Sequence, residues 1–232
     1  MRALLLSNSA NYGTEPLVHA IASIRLLLAD VDRLVFVPYA LHDHDAYTQS
    51  IATALAEVCE VVGAHKLDQS ELKKAKAYFV GGGNTFRLLH RLQSDGTLEL
   101  LRDQVTQGVP YMGASAGTAI CGPTIRTTND MPIVEPKSLA ALGLVSFHLN
   151  CHYPDPEMGP RKFMGETRDE RIAEFLEEND SKVICLREGA WIDITGTTAT
   201  IGGTRGGRLF ERGCAPISLS NGDILSLTGE LS

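Results

Sequence analysis

From the amino terminus to Ser115 the chain alternates between short apolar runs and longer segments of helical period. Parallel strands joined by crossover helices produce that pattern, and few other architectures do. The runs at 3–6, 34–37, 61–64, 78–80 and 109–112 have strand length. Between the first two, Leu17, Ile21, Ile24 and Leu28 recur at helical spacing, with Pro16 suited to a first turn. Residues 46–58 and 85–105 supply further helices, the second broken at Asp95-Gly96.

Beyond Ser115 the pattern changes. Residues 122–137 carry Pro123, Pro132 and Pro136 and read as a loop of unusual length, the kind that often serves function. A strand ending near Asn150, a Pro-rich loop to Gly165 and a helix over 167–178 are expected next. Short β-like runs at 183–186, 191–194, 199–201, 208–210 and 217–219, punctuated by Gly, predict hairpins appended to the sheet. There is no repeat, linker or low-complexity segment. With 232 residues and 44% apolar composition, the expectation is one α/β domain spanning 1–232 with a mostly parallel central sheet flanked by helices.

Charge narrows the partners. A net charge of −7 and the lack of a basic cluster argue against nucleic acid. An acidic substrate would need local arginines to overcome the field of the whole chain. The apolar run before Ser7 is too short for a signal peptide core or a bilayer span, so the expectation is a cytoplasmic protein with no membrane contact. The cysteines, 5 in number and without a CxxC pair, suggest neither a disulfide framework nor a zinc site, and fit a reducing compartment.

The chemistry concentrates at Tyr111-Met112-Gly113-Ala114-Ser115-Ala116-Gly117, a strand entering G-x-S-x-G and then a helix start at Thr118. In such an elbow the glycines let the chain turn sharply, so the serine projects at the carboxyl edge of the sheet. The N–H of Ala116 then points where a tetrahedral oxyanion would form. Gly81-Gly82-Gly83-Asn84 makes a second turn after a neighbouring strand; it lacks the P-loop and dinucleotide spacings, and Gly83 is the expected second oxyanion donor.

A serine at its free pKa needs a base and an orienting group. Among the 7 histidines, His42 and His44 in HDHD resemble metal ligands but have no third ligand in view, while His19, His65 and His90 suit packing or surface positions. His148 alternates along a strand. His152, just past the expected strand end in Asn150-Cys151-His152-Tyr153, is the better base, and its neighbour Cys151 lacks an elbow of its own.

Five ordered segments carry a resemblance: VGGGNTFRLL (80–89), GASAG (113–117), CGPTIRTTNDMPIVEP (121–136), NCHY (150–153) and GETRDERI (165–172). Together they resemble peptidase E, the α-aspartyl dipeptidases related to class I glutamine amidotransferases. The resemblance implies a flavodoxin-like, amidotransferase-like fold and hydrolysis of Asp-X dipeptides through an acyl-enzyme. It also implies Ser115 as nucleophile, Asp130 as acidic triad member, His152 as base, and Gly83 and Ala116 as the oxyanion hole. The chain departs from the family pattern at Ala114, where Trp is frequent, and at Cys151, where Pro is frequent.

In the related glutaminases an acid follows the histidine by two positions; here that position is Pro154. Asp130 is favoured by the resemblance and Glu188, at another expected strand end, is its rival. Arg126, Arg168 and Arg171 are candidates to grip the substrate carboxylate through a bidentate fork. Glu166, Asp169 or Glu188 are candidates for the substrate amine. No cofactor or metal is expected. Oligomeric state is not readable from the sequence, although relatives of this fold commonly pair, which leaves a homodimer open. A related hydrolase with other substrates, such as a cyanophycinase-like peptidase or an esterase, and a non-catalytic binding module are the competing readings.

Overall fold

A computed structural model describes residues 1–154, 165–227 and 229. In chain order the elements are β1 (Arg2–Leu6), α1 (Ile21–Leu27), β2 (Arg33–Val37), α2 (His44–Ala54), β3 (Glu60–Gly63), α3 (Gln69–Leu72), β4 (Tyr78–Val80), α4 (Thr85–Ser94), α5 (Thr97–Thr106), β5 (Tyr111–Ala114) and α6 (Ala116–Ala119). Then come β6 (His148–Tyr153), α7 (Arg168–Glu178), β7 (Lys182–Arg187), β8 (Ala190–Thr195), β9 (Thr198–Gly203), β10 (Gly207–Glu211), β11 (Ile217–Leu219) and β12 (Ile224–Ser226).

The main sheet has 8 strands in the order β12-β9-β8-β1-β5-β4-β2-β3. Its β1, β5, β4, β2 and β3 run parallel, whereas β8, β9 and β12 pair antiparallel. Of the parallel strands, β1, β5, β4 and β2 are buried on both faces, which is why they read as continuous apolar runs, while β3 lies at the edge. Ala3, Leu5, Val35, Val37, Tyr78, Val80 and Tyr111 point into one core. The alternate residues Leu4, Leu6, Leu34, Phe36, Phe79, Met112 and Ala114 point into the other.

Helix positions follow local chemistry. Asn84 caps α4 by accepting the Arg87 N–H, and Thr85, Leu88, Leu89 and Leu92 make one buried stripe. Gly96, at φ 75, permits the break before α5. Thr167 and Glu170 form a capping box on α7, which buries Ile172 and Leu176.

The carboxyl-terminal half differs from the expected single sheet with hairpins. The β8–β9 hairpin and β12 do extend the main sheet, but β6, β7, β10 and β11 build a second sheet in the order β11-β10-β7-β6. One side of this sheet, through Leu149, Ile184, Leu186, Leu209 and Leu219, joins the large core. On its other side Tyr153, Val183, Cys185 and Phe210 pack with Ile172 and Leu176 of α7. Strands β7 and β10, with 4 consecutive residues of β7 fully buried, need cover on both sides, and a separate layer supplies it. The Pro-rich loop expected before Gly165 lies largely outside the described residues, as does Asp155.

Candidate active site

The carboxyl ends of β1, β4 and β5 meet the ends of β6 and β7 from the second sheet. Ser115 follows β5 with φ 51 and ψ −107, a conformation that few non-glycine residues adopt. Its N–H donates to the Leu6 carbonyl at 3.1 Å, which fixes the elbow to β1. The glycines do what the motif requires. A Cβ on Gly117 would lie 2.0 Å from the Val80 carbonyl oxygen, and one on Gly113 would lie 2.6 Å from that of Gly117. No larger residue fits so tight a turn.

His152 lies within β6 rather than beyond it. The β6–β7 register shifts between Asn150 and Tyr153, and His152 takes φ 55 there. Such a bulge re-aims a side chain. The His152 Nε2 stands 2.7 Å from Ser115 Oγ, and His152 Nδ1 stands 3.0 Å from Glu188 Oε1. The hydroxyl donates to Nε2 when Nδ1 carries the ring proton, and that proton is donated to the carboxylate.

This arrangement corrects the expectation for the acid. Asp130 does not reach the ring: its Oδ2 accepts from the Thr85 N–H at 2.7 Å, the Thr85 hydroxyl at 2.5 Å and the Thr128 hydroxyl at 3.2 Å. It closes the amino end of α4 and faces the cleft beside Ser115. Glu188, named from sequence both as the rival acid and as a candidate substrate contact, occupies the place on His152 Nδ1. The turn after β7 carries it there.

The two residues expected to donate to an oxyanion lie on separate turns, and of the two only Ala116 lines the cleft with Ser115. Ala116 opens α6 and, like the first residue of any helix, has no intrahelical acceptor for its N–H. Gly83, at φ 132, sits so close to Ala40 that a Cβ would meet that carbonyl oxygen at 2.7 Å. The neighbouring Gly82 N–H donates to the Tyr47 hydroxyl at 2.9 Å. Burial pushes that phenol up to about 12, so it stays protonated and fixes the turn. The one-turn α6 leaves local N–H groups, rather than a macrodipole, to stabilise an anion.

A small cleft of about 90 Å³ is lined by Thr85, Ser115, Ala116, Ala119, Thr128, Asn129, Asp130, Leu149, Cys151, His152 and Arg168. Of the three arginines proposed as readers, it brings in Arg168 alone. Arg168 donates to Asn150 Oδ1 at 2.8 Å. Asn150, buried and itself donating to the Thr127 carbonyl at 2.6 Å, aims the guanidinium. Arg171 pairs with Glu166 at 3.6 Å on an exposed face, and Arg126 is exposed in the loop after α6. Asp169 is held by Arg208 at 2.6 Å and by the Tyr153 hydroxyl.

Burial pushes the Cys151 thiol well above its usual range, which makes it a packing group and no thiolate nucleophile. Larger grooves, of about 420 Å³ beside α7 and about 600 Å³ around 132–139, are lined by no histidine that could serve as a base. No group of three or more metal-ligating side chains occurs among the described residues. Among those residues no helix is long and apolar enough to cross a membrane.

Sequence comparison now bears on the same residues. The family profile of peptidase family S51 matches residues 3–202. The chain belongs to peptidase family S51. It is therefore a peptidase, with the elbow, histidine and glycine turn all inside the matched span. A relative named "Peptidase E" from Streptomyces coelicolor is 52% identical over 97% of this chain and 94% of its own. A Drosophila melanogaster relative named "Probable alpha-aspartyl dipeptidase" is 46% identical over 90% of this chain and 89% of its own. The crystal structure of a peptidase from an acI-B1 actinobacterium is only 14% identical, yet superposes with a TM-score of 0.68 over 97% of this chain and 96% of its own. That similarity supports the S51 fold described above.

Several site residues left no mark in the sequence reading. Asn150 was visible in NCHY only as a neighbour of the histidine. Thr85 and Thr128, which hold Asp130, lie far apart in sequence and had no common motif.

Proposed function

We propose that this S51 chain is a single catalytic domain working as a serine-type dipeptidase on peptides with an amino-terminal aspartate. The observation that carries the reading is the continuous hydrogen-bond chain from Ser115 through His152 to Glu188, with the glycine turn packed against the serine, where a Cβ on Gly82 would lie 3.1 Å from that of Ser115. His152 takes the Ser115 proton as Oγ attacks the peptide carbonyl. Gly83 and Ala116 hold the oxyanion, and Glu188 stabilises the imidazolium. Protonated His152 then passes its proton to the leaving amine. A water activated by the same ring releases the aspartyl group from Ser115.

The cleft offers opposite charges for a small zwitterion. The Arg168 guanidinium suits the substrate's side-chain carboxylate, and the Asp130 carboxylate suits its free amine. This reading replaces Glu166, Asp169 and Glu188 as amine partners, because none of the three lines the cleft. The names of the relatives from Streptomyces and Drosophila point to the same substrate class. Five unpaired thiols are consistent with a reducing, cytoplasmic setting.

The test is a matched panel of Asp-Leu, Glu-Leu, Asn-Leu, Ala-Leu and N-acetyl-Asp-Leu, with a chelator present and a Ser115→Ala control. The expected outcome is cleavage of Asp-Leu alone, lost in the control. Equal cleavage of the acetylated peptide would refute the amine contact, and a fully active Ser115→Ala protein would refute the nucleophile.

A further inference from the structure

Ser7 and Asn8 close β1, and both side chains are buried, at 0% and 2% exposure. A buried hydroxyl and amide need partners, and theirs are the backbones that carry His152 and Glu188. The Ser7 hydroxyl accepts the His152 N–H at 3.0 Å and donates to the Leu186 carbonyl at 2.8 Å. These two groups lie on the adjacent strands β6 and β7 where their register shifts. At that bulge the ladder cannot pair them directly, and the hydroxyl stands between them. The His152 backbone is thus supported from β1 in a conformation, φ 55, that it would not hold unaided.

Asn8 acts on the other partner. Its Oδ1 accepts the Gly189 N–H at 2.7 Å, immediately after Glu188. Its Nδ2 is tied to the Ala10 carbonyl at 2.7 Å and to Asn11 Oδ1 at 2.8 Å, so the amide orientation is fixed. A further tie runs from the Ser115 N–H to Leu6, the residue before Ser7. One short segment therefore contacts the backbone at or next to all three groups of the hydrogen-bond chain. Neither Ser7 nor Asn8 lines the cleft.

We propose that Ser7 and Asn8 are positioning residues, a clamp that holds His152 and Glu188 in register with Ser115. The inference rests on the Ser115–His152–Glu188 reading. Removing the Ser7 hydroxyl leaves a buried N–H and a buried carbonyl without partners, and the bulge relaxes to satisfy them. The histidine then moves while the substrate contacts remain.

The experiment uses the full chain with Asp-Leu as substrate. Ser7→Ala should lower kcat by about tenfold to a hundredfold with KM held within about twofold. In a Ser115→Ala background, Ser7→Ala should also broaden or remove the downfield proton signal of His152 Nδ1–H on Glu188. Ser7→Thr, which keeps the hydroxyl, should restore both. A role in stability alone would lower Tm and leave kcat and that signal unchanged, and this result in folded Ser7→Ala protein would overturn the clamp. If the alanine variant does not fold, Asn8→Asp, which keeps an acceptor for Gly189, is compared with Asn8→Leu, which does not. Lower kcat in Asn8→Leu than in the wild type supports the clamp, and wild-type kcat in folded Asn8→Leu overturns it. Ser115→Ala separates the two readings: activity there defeats the hydrogen-bond chain itself, whereas an inert Ser115→Ala with fully active Ser7→Ala defeats only the clamp.

Discussion

Replacing Glu188 with Gln removes one charge from the site and little else. The amide oxygen can still accept from His152 Nδ1–H, so the ring can keep its orientation. What disappears is the attraction between a carboxylate and the imidazolium that forms as Ser115 gives up its proton. At 3.0 Å that attraction is about 1.4 kcal/mol at the dielectric of water and about 2.8 kcal/mol at half that value. The side chains of His152 and Glu188 are 44% and 55% exposed, which keeps the interaction near this watery range and away from interior values. The expected loss is therefore roughly tenfold to a hundredfold in kcat, with KM little changed. Steady-state kinetics on Asp-Leu would measure it, with Asp130→Asn assayed in parallel. Asp130→Asn should act mainly on KM for the free-amine substrate, and weakening of its hold on Thr85 should cost about 1 kcal/mol of stability. If Glu188→Gln keeps wild-type kcat while Asp130→Asn loses both kcat and the His152 Nδ1–H signal, the assignment of the acid from this geometry is wrong.

Gly117→Ala should fail at the level of folding, because its Cβ would lie 2.0 Å from the Val80 carbonyl oxygen. Backbone must shift to admit it, so a loss of at least about 1 to 3 kcal/mol is expected in chemical denaturation, and a wild-type midpoint would contradict the packing argument. Arg168→Met should selectively lose Asp-Leu turnover in a competition assay against neutral dipeptides, while Arg171→Met and Arg126→Met keep wild-type selectivity. His148 is held between the Thr124 and Ser181 hydroxyls, 2.9 Å away on each side, and against the Phe175 ring. Burial, and then the Arg126 charge, lowers its pKa to about 4. A histidine whose folded pKa is depressed favours the native state fully above its unfolded pKa of about 6.5, and loses that contribution as pH falls toward about 4. His148→Gln should therefore flatten the decline of the unfolding free energy, from chemical denaturation, across that window by an amount on the order of 3 kcal/mol; an unchanged slope would refute the assignment of that pH dependence to His148.

Much of the molecule was legible because local chemistry decided it. Runs that must be buried on both faces of a parallel sheet are apolar throughout, so β1, β2, β4 and β5 appeared within two residues of their observed positions. Asp95-Gly96 marked the break between α4 and α5 because Gly96 must take positive φ. The elbow was readable for the same reason: a serine between glycines at a strand end has few other uses. Where the chain turned to hairpins, the short runs were found but their partners were not. Pairing depends on which face remains uncovered after the main sheet is built, and no run of three to six residues encodes that.

The acid of the hydrogen-bond chain shows the limit most clearly. Sequence supplied Ser115, His152, Gly83, Ala116 and both candidate carboxylates, since each sits at an identifiable turn or strand end. The resemblance favoured Asp130, which the geometry overturns, and the residues by themselves could not choose between Asp130 and Glu188, because the choice is a matter of 3.0 Å across two sheets. The bulge in β6 turns His152 toward β7 and the end of β7 delivers Glu188, while the two threonines draw Asp130 onto α4. Local propensity and motif spacing thus determined the parallel strands, the serine elbow and the set of groups available around it. Distances between segments far apart in sequence arise only when the two sheets pack together, and those distances assigned each carboxylate its partner.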